Sequence, residues 1–159
     1  MGVVTEAIKV RIEEQRQQLG KLPRIREELQ ARLEPNKARI KELQTGMSGL
    51  LAAVAIGEKD QTEADAAKAE LRTLEEQNGD IELAVQGLVV RERQLEIRTS
   101  NRRRDFLLGE GEMLEQHMDR VRSGDTSQTR RLAQYGSGLG VMDIVDAFTA
   151  EMADKGITW

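Results

Sequence analysis

From Ile8 to Val54 the chain repeats one spacing, alternately four and three residues. It passes through Ile8, Ile12, Gln15, Leu19, Leu22, Arg26, Leu29, Leu33, Asn36, Ile40, Leu43, Met47, Leu50 and Val54. An α-helix turns once every 3.6 residues, so this spacing gathers the side chains into one narrow stripe, the form a helix takes when it packs along another helix. The frame runs through Pro23 and Pro35. Proline removes a backbone donor and crowds the preceding turn, so kinks or brief breaks are expected there, with the same face still turned inward.

A second frame runs through Ala64, Ala67, Leu71, Leu74, Asn78, Ile81, Val85, Leu88, Glu92, Leu95, Thr99, Arg102 and Phe106, out of phase with the first. Either a stammer in one continuous helix or a turn accommodates such a shift. Gly57 suits the left-handed residue after a helix end, and Asp60 with Glu63 reads as an N-cap and capping box. These favour a turn. The arms on either side span about 50 residues, or roughly 75 Å each at a helical rise of 1.5 Å. Folding at Glu58 and Lys59 sets Pro35 opposite the "QNGD" segment around Gly79 and brings Arg26 near Glu92, two charges otherwise stranded in the stripe.

The expected fold is all-α: a long antiparallel helical hairpin (coiled coil) over residues 1–122, turning near 57–60, with a small C-terminal helical appendage. Arg26 and Glu92 are expected to pair and to set register more than stability, since desolvating both ions offsets much of their attraction. The alternative is that Arg26 snorkels outward. Beyond Phe106 the second arm is expected to resume after Gly109 and Gly111 and to reach about Arg122. Residues 123–126 read as a turn, "TSQTRRLAQYG" as a short helix and "GSGLG" (136–140) as a flexible link. A last helix over about 141–155 sets Val141, Ile144, Val145, Phe148 and Met152 on one face, with Trp159 closing the chain.

Composition agrees with long helices and narrow seams. Hydrophobic residues make up 38% and aromatics 3%, too few for a wide globular core, while 33% are charged. Cysteine is absent, which excludes a disulfide scaffold and a cysteine metal site. No stretch approaches the apolar length of a membrane span, and neither a signal-peptide core nor a myristoylation pattern is found at the N-terminus. A soluble protein, cytoplasmic or in a virion, is expected. The net charge of −4 is unevenly spread: residues 55–82 are acidic, 83–90 carry no charge, and 91–104 are rich in arginine.

Candidate chemistry is sparse. His117 is the only histidine, and Glu115, His117 and Asp119 are too closely spaced to share a helix face, so no metal site is expected and a surface or seam position is assigned to His117. "YGSGLGVMD" fits no phosphate-binding pattern. Paired glutamates such as Glu13–Glu14 and Glu75–Glu76 belong to solvated helix faces. No catalytic, cofactor-binding or metal residues are assigned, and no enzyme is expected. "RERQLEIRTSNRRRD" (91–105) is the best nucleic-acid segment, with Arg98, Arg102, Arg103 and Arg104 as candidate phosphate contacts, though without interleaved aromatics.

The C-terminal face of Val141, Ile144, Val145, Phe148 and Met152, with Trp159, is expected either to fold back on the base of the hairpin or to dock on another protein, and its Gly-rich tether favours docking. Its polar side is acidic, which disfavours a membrane surface. Val10, Ile25, Leu51, Ile56, Leu83, Val89, Val90 and Ile97 are apolar but lie off both seams. A stripe that broad asks for three or more helices in contact, so self-association is expected, as a four-helix dimer or a larger ring or trimer.

At "AVAIGEKDQTEADAAKAELRTLEEQ" the chain resembles small helical-hairpin proteins encoded among tailed-phage virion genes, which share an Ala-rich run, a Gly-acidic turn and a Glu/Leu-rich return arm. The resemblance covers about 50 residues and implies a structural role in a capsid, neck or tail. The function expected is therefore that of a non-enzymatic structural or assembly protein. The alternatives are a nucleic-acid-binding oligomer, such as a packaging-type small subunit, and a cellular coiled-coil adaptor.

Overall fold

The computed structural model describes residues 2–159, and these are all-helical. Five helices follow in order: α1 (Val3–Ala55), α2 (Gln61–Thr99), α3 (Asn101–Arg122), α4 (Thr129–Leu139) and α5 (Met142–Asp154). Both prolines lie inside α1, and the helix continues through them, so of the kinks or brief breaks expected there no break occurs. Each proline deletes a single hydrogen bond, which the intact turns on either side tolerate.

The end of α1 is set by Gly57, which adopts φ +79°. Its N–H bonds the carbonyl of Val54, and the N–H of Glu58 bonds that of Ala53. This paired termination consumes carbonyls that the helix end would leave bare, and it needs a left-handed residue that only glycine adopts cheaply. The same motif, with glycine at positive φ, ends α3 at Gly124, α4 at Gly140 and α5 at Gly156. The capping box expected at the start of α2 is replaced. A backbone bond from Glu63 N–H to the Asp60 carbonyl closes the first turn, while the Glu63 carboxylate lies 3.7 Å from Lys59 Nζ.

The end of α2 differs from expectation. The second frame continued to Phe106, but the helix stops at Thr99, and Ser100 caps α3 by accepting the Arg103 N–H on its Oγ at 3.2 Å. Serine, threonine and asparagine compete with the helix for backbone partners, and the run Thr99-Ser100-Asn101 concentrates that tendency. Arg16 then donates to the Thr99 carbonyl, which the break leaves free, at 3.2 Å, and to the side-chain Oδ1 of Asn101 at 3.2 Å. Further on, α3 runs through Gly109 and Gly111 without interruption, and α4 absorbs most of the "GSGLG" segment expected to be a link.

The chain forms two compact units. One is Gly20–Arg93; the other joins the chain up to Leu19 with Gln94–Trp159. The second unit, termed the terminal unit below, contains the main core: Val4, Ile8 and Ile12 of α1, Leu114, Met118 and Val121 of α3, Leu132 and Leu139 of α4, then Val141, Val145, Phe148 and Met152. Two glycines let the helices close on this core. A methyl group at Gly111 would sit 2.8 Å from Ile8 Cδ1, and one at Gly136 would sit 2.6 Å from Val145 Cγ2. In the Gly20–Arg93 unit, termed the arm unit, buried apolar side chains are few: Leu33, Ala64 and Ile81.

Candidate interaction surfaces

The face assigned to docking is spent inside the molecule. Val141, Val145, Phe148 and Met152 are buried in the terminal core, Ile144 is partly buried against it, and Trp159 remains about half exposed with its ring 6.3 Å from that of Phe148. This corrects the docking assignment in favour of the fold-back alternative. Val4, Ile8, Ile12, Leu114 and Met118 need an apolar cover, and a short amphipathic helix on the same chain supplies one without the entropy cost of recruiting a partner. A cleft of about 560 Å³ remains beside α5, with Val3, Met118, Ile144, Asp143 and Glu151 among its lining residues.

Glu115 and His117, weighed together in the sequence, do unrelated work. Glu115 Oε1 accepts the N–H groups of Val4 at 2.9 Å and Thr5 at 3.1 Å, so a carboxylate from α3 caps the N-terminus of α1. Gly2 fits this arrangement, because a Cβ there would collide with the Glu115 carboxylate. Charge-assisted bonds to free helix-end donors of this kind contribute about 1.5–3 kcal/mol. His117 is buried rather than on the surface. Its ring stacks on Tyr135 at 5.7 Å, and neither ring nitrogen has a hydrogen-bond partner. Burial, then the positive charges of Arg120 and Arg131, hold its pKa below the usual histidine value. Asp119 pairs with Arg122 at 2.8 Å. Among the described residues no cluster suited to a metal ion occurs, and no helix is long and apolar enough to cross a membrane.

The arginine segment is accessible. Arg98, Arg102 and Arg103 are exposed and Arg104 is half-buried, and none of the four makes an ion pair among the described residues. Arg103 lies 5.3 Å above the Phe106 ring. A cleft brings these two together with Arg131 and Tyr135. The segment 91–105 itself carries no aromatic residue; Tyr135 reaches it through the packing of α4 on α3, a contact with no local sequence signal.

In the arm unit, polar pairs join α1 to α2. Arg26 Nη1 donates to Glu92 Oε2 at 2.8 Å, both side chains being partly buried. Asn36 Nδ2 donates to Oδ1 of the buried Asn78 at 3.0 Å. Arg39 makes two parallel bonds to Glu70, at 2.7 and 3.1 Å, which raise the arginine pKa and lower that of the glutamate. Away from these pairs, Ile25, Leu51, Ile56, Leu83, Val89 and Val90 are exposed. Compared with known protein families, curated proteins and solved structures, the chain matches none.

Proposed function

We propose that the chain is a non-enzymatic structural or assembly protein, a self-associating helical hairpin whose arms are α1 and α2. The polar pairs of the arm unit support antiparallel pairing. Moving along α1 from Arg26 to Asn36 to Arg39, the partners on α2 fall back from Glu92 to Asn78 to Glu70. The observation that carries self-association is the set of apolar side chains exposed on both long helices, which two helices alone leave uncovered. The resemblance around the 57–60 turn supplies a tailed-phage virion as the setting. Light scattering on the purified chain across micromolar concentrations tests the reading: a mass at a multiple of 17.8 kDa is expected, and a well-folded monomer throughout rejects it.

A second reading, a nucleic-acid-binding oligomer, is favoured by one observation. Arg103, Phe106, Arg131 and Tyr135 line one cleft, combining cations for phosphates with rings on which bases stack. A salt-sensitive gel shift abolished by Arg103→Ala with Arg131→Ala is expected under that reading, and no shift at low salt dismisses it.

A further inference from the structure

Residues 80–93 lie within the arm unit on the helical stretch of α2, and their pattern is self-complementary. The eight residues "LAVQGLVV" (83–90) carry no charge; Asp80 and Glu82 precede them, and Arg91 and Arg93 follow. At 3.6 residues per turn, Leu83, Gln86, Gly87 and Val90 share one face, opposite the seam residues Ile81, Val85 and Leu88. Leu83 is 67% exposed and Val90 58%. Gly87 has open space around it, so another backbone can come close. None of the four flanking charges makes an ion pair or a side-chain hydrogen bond among the described residues.

We infer that this face is where two copies of the chain join, α2 against α2, antiparallel about a two-fold axis between Gln86 and Gly87. This names the surface for the self-association proposed above and rests on that reading. In an antiparallel pair Leu83 of one copy sits level with Val90 of the other. Asp80 and Arg91 lie on one flank of the stripe and Glu82 and Arg93 on the other, so each acid meets an arginine of the second copy on its own flank. A parallel pair instead sets acid beside acid and arginine beside arginine, which like-charge repulsion disfavours. The charge order along the helix thus selects both the partner, a second copy, and its direction.

Charge reversal tests the pairing. Arg91→Glu with Arg93→Glu is expected to weaken self-association about tenfold or more, read by sedimentation at several concentrations. Adding Asp80→Arg and Glu82→Arg to the same chain is expected to restore it. All four positions are exposed, so circular dichroism should stay unchanged. In this cysteine-free chain Gln86→Cys is expected to form a disulfide-linked dimer under mild oxidation, because the two copies of that position flank the axis. Self-association that ignores both charge reversals, or a Gln86→Cys chain that stays uncrosslinked while associated, overturns this surface and leaves self-association standing. A chain that is monomeric at every concentration overturns both.

Discussion

The terminal unit and the arm unit use opposite means of holding helices together. In the terminal unit, buried apolar side chains of α1, α3, α4 and α5, with Val141 just before α5, form one cluster among the described residues. In the arm unit, α1 and α2 meet through Arg26–Glu92, Asn36–Asn78 and Arg39–Glu70, with only Leu33, Ala64 and Ile81 as buried apolar residues. Apolar burial supplies most folding stability but specifies alignment weakly, whereas hydrogen-bonded polar pairs add little net stability and lose much when misaligned. The terminal unit is therefore expected to be stable by itself. The arm unit is aligned but thinly covered, and its outer apolar residues stay exposed.

Substitutions can break or sharpen that contrast. The largest effect is expected from Met152→Ala, which empties a fully buried site in the terminal core and should cost about 2–5 kcal/mol, read by urea unfolding followed through Trp159 fluorescence. Next is Glu115→Ala. It leaves the N–H groups of Val4 and Thr5 without their acceptor and should cost about 1.5–3 kcal/mol in the same assay.

One substitution made in both units should change sign between them. Gly136→Ala forces the new methyl against Val145 and Met142, and overpacking of this kind costs about 1–3 kcal/mol, offset in part by better helix propensity. Gly46→Ala meets nothing and should stabilise α1 by about 0.5–1 kcal/mol. Thermal unfolding of the two variants reads the difference.

The smallest effect is a pH dependence that His117 brings to the terminal unit. The His117 pKa is lowered in the folded chain, so as pH falls below about 6.5 the unfolded chain takes up that proton first. Stability contributed by neutral His117 is full above that pH and declines as pH drops toward the folded-state value. His117→Phe should flatten this slope in urea midpoints measured between pH 5 and pH 8.

What the sequence revealed and what it hid follow from the range of the contacts. The 4-3 spacing marked the long helices, and Gly57 marked the end of α1, because both are local consequences of backbone geometry. Arg26 and Glu92 stood out because charge in an apolar stripe needs a partner. The stop at Thr99 was hidden, since the apolar frame ran past it and only the Thr-Ser-Asn run opposed it. Glu115 capping α1 was hidden more deeply: the contact joins residues 111 positions apart and has no local pattern. The "GSGLG" segment misled because glycine serves both flexible links and close packing. Gly136 serves packing, so α5 closes on the core instead of hanging free.

Hydrogen exchange measured at low and high protein concentration tests most directly whether one unit stands alone while the other waits for a second copy. Amides in residues 4–12, 114–121 and 145–152 are predicted to exchange at the same slow rate at both concentrations, while those in 80–93 slow markedly as concentration rises. Protection in 80–93 that does not change with concentration, in a chain shown to associate, would contradict the account.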